Sequence, residues 1–342
     1  MRFAVLLLAS FLAAPILSAQ HAVPSDGQWL IEPGEHSGTV QLSVRYGERG
    51  YSSNSSRDVP LREFVGLSAA DMRGSGATVH FKIVRSAGTL DCEGWFDGGK
   101  GSGHFTYQPN PDFVAELAKR GVNAPTAWEQ FQMTMAGVGL DLVDELARQK
   151  YDRPTAAELA RMATHGVDLE YIRDIGARGY HLSDSESLVR MRDHGVDPEF
   201  IESLNSAGYK DLSAEELVRV RDHGVDPDFI ASLGSAGYKN LSIEALVRLR
   251  DHGVDGDYIA DMKEMGYAPS DPEDLVESRD HGVDPSYIRS LKEAGYERLS
   301  LQELRRARDH GVTRGFIQRV KARGYGNPSL DEVIRLRDRG LN

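Results

Sequence analysis

His194, Asp193 and Asp197 fall within five residues in the run RDHGVDP, residues 192–198. A histidine between carboxylates is raw material for a metal site or an acid–base dyad. The run returns as RDHGVDP at 221–227, RDHGVDG at 250–256, RDHGVDP at 279–285 and RDHGVTR at 308–314. A catalytic centre is built once, from an asymmetric set of groups, so five copies point to a structural task. Distance argues the same way. Stacked helices sit ~8–10 Å apart, whereas two imidazoles sharing a zinc ion must each approach to about 2.0 Å. We therefore expect no metal and no cofactor here, and read the histidine as a last-turn residue interacting with the C-terminus of its own helix.

The elements that carry the run repeat with it. His165, His194, His223, His252, His281 and His310 are 29 residues apart, and Gly-Tyr pairs from Gly179-Tyr180 to Gly324-Tyr325 keep the same period. Each unit spells two short helices. A Ser/Thr-x-x-Glu capping box opens helix A at Thr126, Thr155, Ser213, Ser300 and Ser329, and Asp271-Pro272 replaces it once. Helix A stops at a glycine (Gly195, Gly224, Gly253 or Gly282), where the left-handed conformation is cheap. Two residues on, Asp197, Asp226, Asp255 or Asp284 restarts the chain as the N-cap of helix B. In helix B, Phe229, Ile230 and Leu233 form the buried stripe. HGVDP is thus a stop-and-start signal between antiparallel helices. Helices of about ten residues are marginal alone, so the units must stack.

The predicted fold is α+β: a small antiparallel β domain over 28–108, then an α-solenoid of 29-residue two-helix repeats over 110–342 with about eight helix pairs. GTVQLSVRY (38–46), TVHFKIV (78–84) and GTLDCEGWF (88–96) read as strands, and FDGGKGSGHFTYQP reads as a hairpin. About six strands are expected, arranged as a β-sandwich. Gly94, Gly99 and Lys100 mimic P-loop spacing, but Gly101 stands in the Ser/Thr place and a strand follows, so nucleotide binding is not expected. Trp29, Trp95 and Tyr107 read mainly as core aromatics, with stacking on a sugar as the functional alternative. Cys92 alternates with Leu90 and reads as a buried thiol.

The chain has 342 residues and a net charge of −12, which disfavours nucleic acid as a partner. It opens MRFAVLLLASFLAAPILSAQ, which reads as a signal peptide over 1–19, giving an exported protein, periplasmic or secreted. No later run is long enough to span a membrane. With a single cysteine, no internal disulfide can form. Charge is uneven: residues 284–342 carry 13 Lys/Arg against 8 Asp/Glu.

One arginine per unit (Arg192, Arg221, Arg250, Arg279, Arg308, Arg337) shares the helix-A apolar face. It is expected to be partly buried against a carboxylate of an adjacent unit, or else to line a groove for acidic partners.

The segment DCEGWFDGGKGSGHFTYQPNPDFVAELAKRG, running into repeats such as LVRMRDHGVDPEFIESLNSAGY, resembles bacterial exported proteins with a β segment and tandem short-helix repeats. Similar segments form the extracytoplasmic tails of some beta-lactam-sensor-type metallopeptidases. The peptidase domain is absent, so neither zinc nor protease activity carries over. The resemblance implies extracytoplasmic sensing or interaction. The sequence thus points to a monomeric, non-enzymatic interaction scaffold for a protein or an anionic envelope polymer. Arg305, Arg306, Arg319 and Lys321 are its candidate contacts. The second reading is carbohydrate or peptidoglycan binding by the β domain through Trp95, with the solenoid as spacer.

Overall fold

The computed structural model describes residue 23 and residues 25–34, 36–46 and 53–341, without the side chains of 53–57 and 75; the leader expected over 1–19 lies outside the described residues. Among the described residues seven strands come first: β1 (Asp26–Pro33), β2 (Thr39–Tyr46), β3 (Ser53–Pro60), β4 (Phe64–Val65), β5 (Ser75–Val84), β6 (Gly88–Asp97) and β7 (Lys100–Pro109). They form one antiparallel sheet in the order β3-β2-β1-β7-β6-β5-β4. This corrects the expected sandwich, which needs two sheets. A single sheet suffices because it curls over its own apolar face. Trp29 on β1 meets Phe81 on β5 with ring centroids 5.1 Å apart, although β7 and β6 lie between them. In a flat sheet those strands would be ~14 Å apart, three spacings of about 4.8 Å.

Glycine permits the curl. Along one register line Trp29 faces Gly103, which faces Gly94, and the Trp29 indole lies over both glycines. The P-loop look-alike is the β6–β7 hairpin: Gly98 and Gly99 take positive φ, and Lys100 pairs with Glu32 at 2.6 Å. Cys92 is buried in the sheet core, and desolvation, helped by the neighbouring Asp91 charge, pushes its thiol up to about 12. A thiol-reactive disulfide reagent at pH 8 is therefore expected to label no cysteine in folded protein and one after denaturation. Fast stoichiometric labelling of the native chain would contradict this burial.

Among the described residues, sixteen helices of seven to ten residues follow, eight of each kind. The chain divides into two compact units. The first holds the sheet and the helices Pro111–Lys119, Ala127–Ala136, Leu140–Arg148 and Ala156–Thr164. There the sheet seats on Ala127–Ala136: Phe131 packs edge-on against Tyr46 at 4.8 Å and Tyr107 at 5.0 Å. Arg85 donates to the Thr134 and Met135 carbonyls at 2.9 and 2.5 Å, placing a cation at that helix C-terminus.

The second unit holds the twelve helices from Leu169 to Asp338. Within it, helix A packs on the next helix A and helix B on the next helix B, giving two parallel layers. The punctuation is local chemistry. Ser213 and Glu216 bond reciprocally, and the Ser213 bonds hold the Glu216 carboxyl below its usual range. Gly224 closes the helix at φ +65°, and Asp226 accepts from the Phe229 amide at 2.8 Å, with Pro227 at the first helical position. Gly195, Gly253 and Gly282 repeat the turn at φ +66° to +69°. Asp197, Asp255 and Asp284 repeat the cap.

Candidate binding surfaces

The recurring polar residues of the second unit face the next repeat. His194, His223, His252, His281 and His310 each place Nδ1 2.6–2.7 Å from Oδ1 of Asp222, Asp251, Asp280, Asp309 and Asp338 respectively. This corrects the reading of the histidine as a partner of its own helix end. Its backbone amide closes that helix, while its ring reaches the following unit. Among the described residues, no group of three or more His, Cys, Asp or Glu is placed to hold a metal.

The arginine series also departs from expectation. Arg192, Arg221, Arg250, Arg279 and Arg308 lie 4.7–5.0 Å over Tyr171, Phe200, Phe229, Tyr258 and Tyr287, and Arg337 lies 5.1 Å over Phe316. The partner is an aromatic face rather than a carboxylate, and the first five arginines remain exposed. Guanidinium and ring stack as cation–π pairs. Beneath them, the Tyr258 and Tyr287 hydroxyls donate to the Val283 and Val312 carbonyls at 2.9 and 3.0 Å. Burial pushes both phenols up to about 12, so they remain neutral donors. The Gly-Tyr tyrosines make a further rung: Tyr209, Tyr238, Tyr267 and Tyr296 donate to carbonyls 31 or 32 residues ahead at 2.6–3.0 Å.

The four basic candidates separate. Arg305 is 15% exposed, donates to the Asp274 carbonyl at 3.2 Å and pairs with Glu277 at 2.9 Å in the preceding repeat. Lys321 donates to the Ala294 carbonyl at 2.8 Å. Both therefore join repeats together. Arg306 pairs with Asp331 but is half exposed. Arg319 is exposed, 5.8 Å from the Phe316 ring, and has no ion pair among the described residues. Ile230 is only half buried, and its repeat lacks a lysine at the place equivalent to Lys321. Lys292 and Lys321 reach back over the preceding unit, but Gly234 holds that place in its own repeat. A hollow of about 460 Å³ lined by Ile230, Gly234, Tyr209 and Tyr238 remains there.

A concavity of about 970 Å³ lies in the first unit, on the sheet face opposite the core. Trp95 is 50% exposed there and Leu30 43%, whereas Trp29 is core and Tyr107 half buried against Phe131. Alternation along each strand assigns the outward residues. Which of them become neighbours depends on strand order, so Ser102 and Leu30 could not be placed in one row with Trp95 from sequence. No protein-family model matches the chain, and no curated protein matches it.

Proposed function

We propose that this protein is a non-enzymatic binding scaffold, exported to the periplasm or beyond the cell, whose second unit presents helix-B surfaces to a protein or an anionic envelope polymer. The observation that carries this is the division of labour in each repeat. The recurring Arg, His, Asp and Tyr residues hold one unit to the next, while the exposed positions of helix B change from repeat to repeat. The exposed helix-B residues run from Glu199 and Glu202, through Asp228 and Ala231, to Arg289 and Arg319. Repeat arrays select partners through such changing positions, and the basic end suits a partner carrying negative charge. Among the described residues, no helix is long and apolar enough to cross a membrane.

The test reverses only exposed arginines, Arg289→Glu, Arg319→Glu and Arg323→Glu together in the full chain. Arg305 and Lys321 are left intact because changing them would loosen the stack. Capture from envelope extract is expected to lose its wild-type partners with the thermal midpoint unchanged. The Arg→Gln triple is expected to lose fewer. Identical capture by the reversed variant would remove the reading.

A further inference from the structure

The antiparallel register lays two rows side by side across the outer face of the sheet. One reads Thr78, Trp95, Ser102, Leu30, Ser43; the adjacent one reads His80, Glu93, His104, Gln28, Arg45. Neighbours in a row stand on adjacent strands with Cβ atoms ~5 Å apart. Both rows cross the same five strands, and together they line most of the 970 Å³ groove.

We propose that this face is a saccharide-binding site for an uncharged hexopyranose chain lying across the strands. The proposal stands independently of the partner of the helical unit. The first row sets a half-exposed indole and one leucine among three hydroxyls. Such a surface matches a ligand with an apolar face of C–H groups and a rim of hydroxyls. The second row supplies planar amide, imidazole, carboxylate and guanidinium groups, covering both donors and acceptors. Its one acid and one permanent base, Glu93 and Arg45, cancel, which favours an uncharged ligand over a polyanion or polycation.

The other common occupants fit poorly. β1, β7 and β6 are interior strands paired on both sides, so a peptide cannot join the sheet here as an added strand. An amphipathic helix needs a run of apolar anchors, and the two rows offer only Trp95 and Leu30. The volume lies within the range of small-ligand sites, about 300–1,000 Å³.

Titration of the full chain with chitotetraose and cellotetraose, followed by tryptophan emission and calorimetry, tests the site. At least one of the two is expected to bind and to change the emission. Trp95→Ala should weaken binding roughly tenfold or more, while Trp95→Phe retains most of it. Glu93→Gln should weaken it less than Trp95→Ala. The thermal midpoint should be unchanged, since Trp95 is outside the core. Should Trp95→Ala fail to fold, Leu30→Ser in the same row serves as the second variant, with a severalfold loss expected. Three results would overturn the proposal: no binding of either saccharide by the wild-type chain, unchanged affinity in both row variants, or saturable binding only of an unstructured apolar peptide added as a control.

Discussion

Replacing Gly103 by alanine is expected to destabilise the sheet unit by about 3 kcal/mol, the upper end of the usual cost of overpacking a core. A Cβ at Gly103 would lie 2.0 Å from the Glu93 carbonyl oxygen, 2.6 Å from the Gly94 Cα and 2.7 Å from the Trp29 ring. Gly94, its partner across the ladder, is equally crowded, with the Ser102 carbonyl oxygen at 2.2 Å and Trp29 at 2.4 Å. Two of the Gly103 collisions are with backbone, and the third is with a fully buried ring, so none is relieved by moving a flexible side chain. The strands must separate or Trp29 must leave the core, and either change uncurls the sheet. Gly98→Ala supplies the contrast: it strains a positive φ at an open turn but meets nothing within 4 Å. Guanidinium unfolding followed by tryptophan emission would measure both variants. A loss at Gly103 no larger than that at Gly98 would show that the close approach is not what shapes the sheet.

The same contrast between local and distant causes explains what could be read from the chain. The helix starts and stops were legible because each is settled within a few residues: Ser213 with Glu216, Gly224 with its positive φ, Asp226 with the Phe229 amide. The rungs between units were not. A histidine meets an aspartate 28 residues on, and an arginine meets a ring 21 residues back. Both pairings are set by how two helix layers stack, which no window of one repeat contains. The arginine was expected to seek a carboxylate, but it lies over an aromatic face. β3 was obscured differently. SNSSRDVP has the composition of a turn, and it becomes an edge strand because β2 offers it a ladder. The two outward rows around Trp95 were hidden for the same reason as the rungs, since they exist only once the strands have taken their order.

Tyr258→Ala should cost about 3–5 kcal/mol, the range for truncating a buried aromatic side chain, whereas Tyr258→Phe should cost about 0.5–1.5 kcal/mol, the net worth of one hydrogen bond. The ring is 5% exposed, its hydroxyl donates to the Val283 carbonyl at 2.9 Å, and Arg279 lies 4.7 Å above it. The chain already fills the equivalent slot with Phe200, Phe229 and Phe316, each beneath an arginine from the next repeat. The ring is thus the part the interface requires, and the hydroxyl is an addition. Alanine removes the ring, strips Arg279 of its platform and leaves the Val283 carbonyl without its donor. In an array whose stability adds unit and nearest-neighbour terms, such a loss acts at one junction. Urea unfolding of Tyr258→Ala, followed at 222 nm, should therefore broaden or split as the helices on either side lose their coupling. Tyr258→Phe should keep a single transition. Equal costs for the two variants would mean that the hydroxyl rather than the ring binds these repeats together.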